Sequence, residues 1–227
     1  MRFELHGSVF QCVDVHLRAG EAVYTQAGGM AWQTGEIEMA TSTRGGLMAG
    51  LGRMLAGESL FMTTYTCRSS ESMIVFAPDA PGKVLPFQLA AGQSLICQKG
   101  AFLAAETSVK FEIAFQKRLG AGLFGGEGFI LQKLSGPGTV WLEVPGEVRE
   151  YTLGANDRMK VDPGYVALFE PTVSYDITMV KGVTNVLFGG EGLFLAELRG
   201  PGEVWLQTMP LSTLAATIAK LLPFKKS

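Results

Sequence analysis

Short apolar segments separated by glycine and proline dominate the hydrophobic pattern of this 227-residue chain. The segments at 72–76, 109–115, 129–134 and 140–144 are rich in Val, Ile, Leu and Phe. Apolar runs of this length, bounded by turn residues, are typical of β-strands. Long helical periodicity is absent from most of the sequence, so the pattern predicts an all-β fold.

One segment follows the helical period instead. Between positions 211 and 222, apolar residues recur at three- and four-residue spacing, which predicts an amphipathic helix with Ser212 as its N-cap. A weaker stripe of the same kind lies within 44–56, where two glycines lower the helix propensity and a short helix or an apolar loop is expected. The first stripe comprises Leu211, Leu214, Ala215, Ile218, Leu221 and Leu222, and the second Leu47, Met48, Leu51, Met54 and Leu55.

The chain contains an internal repeat. The segment 123–143 returns as 187–207 with 14 of 21 positions identical at an offset of 64, and a fainter copy lies at 57–62. In front of these copies, Gly20, Gly92 and Gly164 stand in similar apolar frames, 72 residues apart. Repeats at this spacing predict stacked structural units. We therefore expect three tandem β repeats.

The repeats define the expected organisation of the chain. A single domain is predicted from repeats at about 1–84, 85–153 and 154–210, arranged around a pseudo-threefold axis and followed by the helix at 211–222. The segment 44–56 is an insertion in the first repeat. The Gly-Pro-Gly triplets at 136–138 and 200–202 are expected to form tight hairpin turns.

Composition narrows the class of function. Nineteen Lys and Arg balance 21 Asp and Glu, and basic residues are scattered, so a general nucleic-acid binder is not expected. No stretch approaches the apolar length of a membrane-spanning helix. Cys12, Cys67 and Cys97 are an odd number at wide spacing, and no secretory leader pattern opens the sequence. Reduced thiols and a cytoplasmic location are expected.

Two residue types recur as candidate ligand-lining groups. A carboxylate follows glycine in every copy, at Glu58, Glu127 and Glu191. These carboxylates hold either a shared ligand or metal, or backbone N–H groups in a turn; the turn is favoured because no His or Cys accompanies them at ligand spacing. Trp141 and Trp205 occupy one repeat position, where they stack on a ligand or fill a core or interface, the latter being favoured.

Glu127, Glu191, Trp141 and Trp205 are thus the candidate ligand-binding residues, and no catalytic residue, metal site or cofactor is predicted. The apolar stripes are the candidate contacts with a protein partner or a lipid surface. On a lipid surface, Lys220, Lys225 and Lys226 would face the head groups. Docking of the terminal helix against the chain's own sheets or a neighbouring protomer is favoured over lipid, because the stripe is short and carries only three cations. The contact residues are Leu47, Met48, Leu51, Met54, Leu214 and Ile218.

The motifs together resemble a known family. GGEG and GPG-x-VWL motifs lie within 123–142 and 187–206, and an AGESLF run lies at 56–61. Together they resemble the sequences of bacterial and mitochondrial proteins named for altered inheritance of mitochondria. The resemblance implies a fold like the tryptophan RNA-binding attenuator protein, a shortened double-stranded β-helix repeated three times per chain and prone to ring-like oligomers. It also implies a link to inner-membrane organisation through the mitochondrial relatives, and no catalytic residues.

These observations predict a non-enzymatic scaffold or assembly protein. We expect a homo-oligomer, with a trimer as one expected size, and a role in membrane-associated organisation through a peripheral membrane or protein partner. The alternative is a small-molecule-binding module that uses clefts between the β repeats.

Overall fold

The computed structural model describes residues 1–26, 28–43, 61–117, 129–179 and 194–222. Antiparallel strands make up most of these residues, and one α-helix follows the last strand. This confirms the all-β prediction. Contacts divide the chain into two compact units, 1–144 and 145–227. The predicted single domain with boundaries at about 84, 153 and 210 stays a prediction.

The first unit contains thirteen strands among its described residues. The predicted segments 72–76, 129–134 and 140–144 lie on strands, and the segment 109–115 does so from residue 110 onward. A 3-10 turn at Lys99–Ala101 precedes the tenth strand. The strands are β1 (Arg2–His6), β2 (Cys12–Arg18), β3 (Ala22–Gln26), β4 (Met30–Thr34), β5 (Ile37–Thr43), β6 (Phe61–Cys67), β7 (Glu71–Phe76), β8 (Gly82–Leu89), β9 (Ser94–Gln98), β10 (Phe102–Glu106), β11 (Lys110–Lys117), β12 (Phe129–Ser135) and β13 (Gly138–Pro145).

Two sheets enclose the core of this unit. One has the order β1-β2-β7-β4, and the other has the order β5-β6-β3-β10-β13-β8. Strand β2 alternates between partly buried and fully buried residues, which directs Val13, Val15 and Leu17 inward. They pack with Trp141 in a cluster that draws on both sheets. A two-layer arrangement buries the apolar face of each sheet against the other. A third group of strands, β11-β12-β9, completes the unit.

The second unit contains two shorter groups of strands. Strands β14-β19-β16 are neighbours in one sheet, and β15-β18-β17 form another. A 3-10 turn at Pro163–Tyr165 precedes β16. The elements are β14 (Val148–Leu153), β15 (Arg158–Val161), β16 (Val166–Phe169), β17 (Ser174–Met179), β18 (Phe194–Arg199), β19 (Gly202–Gln207) and α1 (Leu211–Ala219).

One turn occurs three times, and its third position corrects the matching of the three glycines that the sequence suggested. At 18–21, 90–93 and 154–157, the last side chain accepts a hydrogen bond from the first backbone N–H at 2.8 Å. The third copy is therefore Gly154–Asp157. The expectation that Gly164 matches Gly20 and Gly92 is wrong, because Gly164 lies in the 3-10 turn before β16. The offset of 64 therefore holds for the front of the repeat as well as for its back.

The Gly-Pro-Gly triplets form tight turns, but the hairpin expectation is wrong. The triplet at 136–138 joins β12 to β13, and these strands belong to different sheets. The triplet at 200–202 joins β18 to β19, which also belong to different sheets. Gly138 and Gly202 have φ of 137° and 141°, values that favour glycine. Each triplet passes the chain from one sheet to another.

Candidate functional site

The two candidate tryptophans are core residues. Trp141 is fully buried, and its ring meets Phe3 edge to face at 5.6 Å between centroids. Trp205 is 7% exposed. It lies opposite Glu150 on β14 and Leu168 on β16. Both indoles therefore lie among packed strands, as the core or interface interpretation predicts.

The other candidate ligand residues, Glu127 and Glu191, lie outside the described residues, as do the contact residues Leu47, Met48, Leu51 and Met54. The described strands that flank these positions are antiparallel neighbours: β5 with β6, β11 with β12, and β17 with β18.

The helix α1 presents its apolar stripe to solvent. It spans Leu211–Ala219, which agrees with the predicted helix, but its N-cap is Pro210 and not Ser212. No residue of the helix is buried. Ile218 is 47% exposed, and Leu221, just beyond the helix, is 81% exposed. Leu214 is partly buried. Isolated exposed apolar residues are ordinary, but a continuous stripe of them marks an interaction surface.

The first unit also exposes large apolar side chains. Trp32 on β4 is 51% exposed, Met39 on β5 is 54% exposed, and Phe10 in the loop after β1 is 73% exposed. Strands β4 and β5 are each the last strand of their sheet. Apolar side chains on terminal strands favour contact with another polypeptide.

A cleft of about 460 Å³ opens in the second unit. Its walls combine two cationic side chains with two tyrosines and several apolar groups. This volume is within the range of about 300–1,000 Å³ that is typical of small-molecule sites. Sequence reasoning missed this cleft, since its residues belong to three strands and a 3-10 turn. The lining residues are Arg149, Tyr151, Met159, Lys160, Val161, Tyr165, Leu206, Gln207 and Thr208.

Gln207 gives this cleft a buried polar group. Its side chain is 3% exposed, and its Nε2 donates to the carbonyl oxygen of Gly164 at 2.6 Å. Its Oε1 accepts no hydrogen bond from any residue that the structure describes. A buried acceptor without a donor costs about 1–3 kcal/mol, so a group that supplies one is favoured there.

A smaller pocket of about 150 Å³ in the first unit is acidic. Glu143 and Asp79 both line it, and the backbone N–H of Asp79 donates to Oε2 of Glu143 at 3.3 Å. Burial, together with the negative charge of Asp79, raises the pKa of Glu143 to about 7 from its ordinary 4.5. Glu143 and Gln207 occupy equivalent ends of the repeated segment, a Glu-to-Gln difference visible in the sequence.

Among the residues described, no three His, Cys, Asp or Glu side chains gather as a metal site would require. Within the same residues, no helix has the length and apolar character needed to cross a membrane.

The sequence of this architecture matches known proteins. A family model described as mitochondrial biogenesis AIM24 matches residues 3–209. The chain belongs to the AIM24 family. An uncharacterized protein of Streptococcus pyogenes serotype M6 is 31% identical over 232 residues, which covers 98% of this chain and 92% of that protein.

A solved structure supports the same relationship. The X-ray crystal structure of a Streptococcus pyogenes protein is similar to this chain with a TM-score of 0.78 and 28% sequence identity, covering 97% of this chain and 99% of the other. The similarity extends over both compact units. The resemblance drawn from the GGEG and GPG-x-VWL motifs is therefore confirmed, and the AIM24 family is established for the whole architecture.

Proposed function

We propose that this AIM24 family member is a non-enzymatic assembly protein that forms a homo-oligomer through helix α1. One observation carries the proposal, the uncovered apolar stripe of α1. Burying an apolar side chain of the size of Leu or Ile is worth about 1.5–3 kcal/mol, so a stripe of several such residues supplies a substantial driving force for association.

The chemistry of α1 favours a second copy of the chain over a membrane surface. The helix Leu211–Ala219 contains no charged residue. Helices that lie on membranes usually carry Lys and Arg along their polar face. The polar face here consists of Ser, Thr and Ala. Trp32, Met39 and Phe10 in the first unit provide exposed apolar surface of matching character in another copy.

We also propose that the fold consists of three equivalent β repeats, arranged like the attenuator protein around a pseudo-threefold axis. The ladders support this. Register irregularities of the same kind occur between β4 and β7, between β10 and β13, and between β16 and β19. Antiparallel pairing also recurs between β3 and β6, between β9 and β12, and between β15 and β18. The period is six strands.

The proposal places the protein in the cytoplasm, with itself as the principal partner and no nucleic acid bound. A trimer is one expected size, and membrane-associated organisation, which the family resemblance implies, is the setting that we propose for such an assembly. A peripheral membrane or protein partner would then bind the assembled oligomer.

Native mass tests the assembly proposal. Light scattering at increasing concentrations is expected to give a stable multiple of 24.3 kDa for the unmodified chain. The variant Leu211→Glu/Ile218→Glu places two charges on the stripe and is expected to reduce the mass to 24.3 kDa. The matched variant Thr213→Glu/Ala216→Glu adds the same charge to the opposite face and is expected to keep the oligomer.

Two results would overturn the proposal. One is a monomeric unmodified chain at every concentration, and the other is an oligomer that persists in the stripe variant. Flotation with anionic vesicles distinguishes lipid binding from self-association. If the monomer floats with the vesicles, and floats less at high salt, the stripe binds lipid.

A further inference from the structure

We propose that the cleft in the second unit binds a small organic anion with a flat apolar body. The proposal is independent of assembly, because it concerns residues outside helix α1. It also uses a different set of residues from the tryptophans and glutamates that the repeat pattern suggests.

Two cations without carboxylate partners border the cleft. Among the residues described, neither Arg149 nor Lys160 forms an ion pair. Glu197 lies opposite Lys160 in the ladder between β15 and β18, but its carboxylate accepts from Arg199 Nε at 2.8 Å. Asp162 near the cleft likewise accepts from the N–H of Gly164 at 2.9 Å. Unpaired guanidinium and ammonium groups facing one cleft favour a carboxylate or phosphate group.

The walls between these cations suit a flat apolar body. The guanidinium of Arg149 lies 5.9 Å from the centre of the Tyr151 ring. Leu206 lies directly across the ladder from Arg149, and Tyr165 and Val161 also line the cleft. Aromatic and aliphatic walls with a few placed polar groups are typical of small-molecule sites. An aromatic ring can stack here while its anionic group meets Arg149 and Lys160.

The equivalent strand of the first unit has no such charge. The ladder of β9 with β12 pairs Leu95 with Leu134, and the ladder of β15 with β18 pairs Met159 with Leu198, a constant offset of 64. In this register Ile96 corresponds to Lys160. Leu95, Ile96 and Cys97 are all buried. The same strand is thus apolar and covered in one unit, but cationic and open in the other.

Gln207 fixes the position of one wall of the cleft. Its Nε2 donates to the carbonyl oxygen of Gly164, which holds the amide in place. The Oε1 atom is buried, so this side chain shapes the wall and supplies no contact to the anion.

The test compares a naphthalene carboxylate with its neutral carboxamide, using isothermal titration calorimetry on the full chain. We expect saturable binding of the carboxylate and at least tenfold weaker binding of the carboxamide. The variants Arg149→Gln and Lys160→Gln are each expected to weaken carboxylate binding about tenfold, the size of one charge-assisted contact. Both side chains are exposed, so the fold is expected to be kept.

Arg158→Gln is the matched control. It removes the same charge from the same strand, but Arg158 does not line the cleft. Equal weakening in this control would reduce the effect to general electrostatics and overturn the proposal. Equal affinity for the carboxylate and the carboxamide, or no saturable binding of either, would overturn it as well. The native mass of each variant is measured as well. A change in mass bears on the assembly proposal, whereas a change in affinity at constant mass bears on the cleft.

Discussion

Replacing Glu143 by Gln is expected to remove a pH-dependent loss of stability from the first unit. Burial and the charge of Asp79 raise the pKa of Glu143 to about 7. The folded chain therefore keeps a proton that the unfolded chain releases above its ordinary pKa of 4.5. Because the unfolded state binds fewer protons in this window, stability falls as the pH rises from about 4.5 through 7.

The magnitude follows from these two pKa values, 4.5 and about 7. Ionisation of Glu143 lowers the free energy of unfolding by about 0.8 kcal/mol at pH 5 and by about 3.3 kcal/mol at pH 8. The Gln variant has no such titration, and its side-chain oxygen can still accept from the N–H of Asp79. Its stability relative to the unmodified chain is therefore expected to rise by about 2.5 kcal/mol between pH 5 and pH 8.

Urea unfolding at several pH values between 5 and 8 measures this difference for both chains. Other titrating groups contribute equally to the two chains and cancel in the comparison. Glu36→Gln, which makes the same substitution at an exposed position in the turn between β4 and β5, is measured as the control. A flat difference for Glu143→Gln would refute the reasoning, since it would mean that Glu143 is already ionised in the folded chain at pH 5.

Two further predictions concern buried side chains. Trp141→Ala is expected to lower the free energy of unfolding in urea by about 3–5 kcal/mol, because it empties a fully buried site against Phe3. Trp32 is half exposed, so Trp32→Ala is expected to lower it by less than about 1.5 kcal/mol. Equal losses in the two variants would contradict the assignment of Trp141 to the core. Burial raises the pKa of the Cys97 thiol to about 12, so iodoacetamide at pH 8 is expected to label the partly exposed Cys12 and leave Cys97 unmodified in the native chain, with mass spectrometry as the readout.

Local patterns predicted the elements of this protein well. Strand segments such as 129–134 and the helix at 211–222 were recognisable because apolar spacing and turn residues act over a few neighbouring positions. The family could also be recognised, since the GGEG and GPG-x-VWL motifs are contiguous in the chain. The 64-residue offset was visible for the same reason.

Pairing between distant strands was beyond such patterns. The Gly-Pro-Gly triplets looked like hairpin turns, yet each passes the chain from one sheet to another. For the first triplet, β12 pairs with β9 and β11, whereas β13 pairs with β10. Gly164 looked like a third copy of Gly20, but the recurring turn is placed at Gly154–Asp157 by its hydrogen bonds. Backbone partners outside the local segment decide the first case, and hydrogen bonds within a four-residue turn decide the second.

The candidate site also depends on both local sequence patterns and contacts between distant strands. The sequence by itself determined the β-strands, the repeated segment and the apolar stripe of α1, because each depends on the spacing of neighbouring residues. Only the tertiary structure decided that Trp141 is enclosed, that the partly buried Glu143 lies beside Asp79, and that Arg149 and Lys160 border one open cleft. Burial and charge proximity arise from strands that meet in space, so no local pattern contains them.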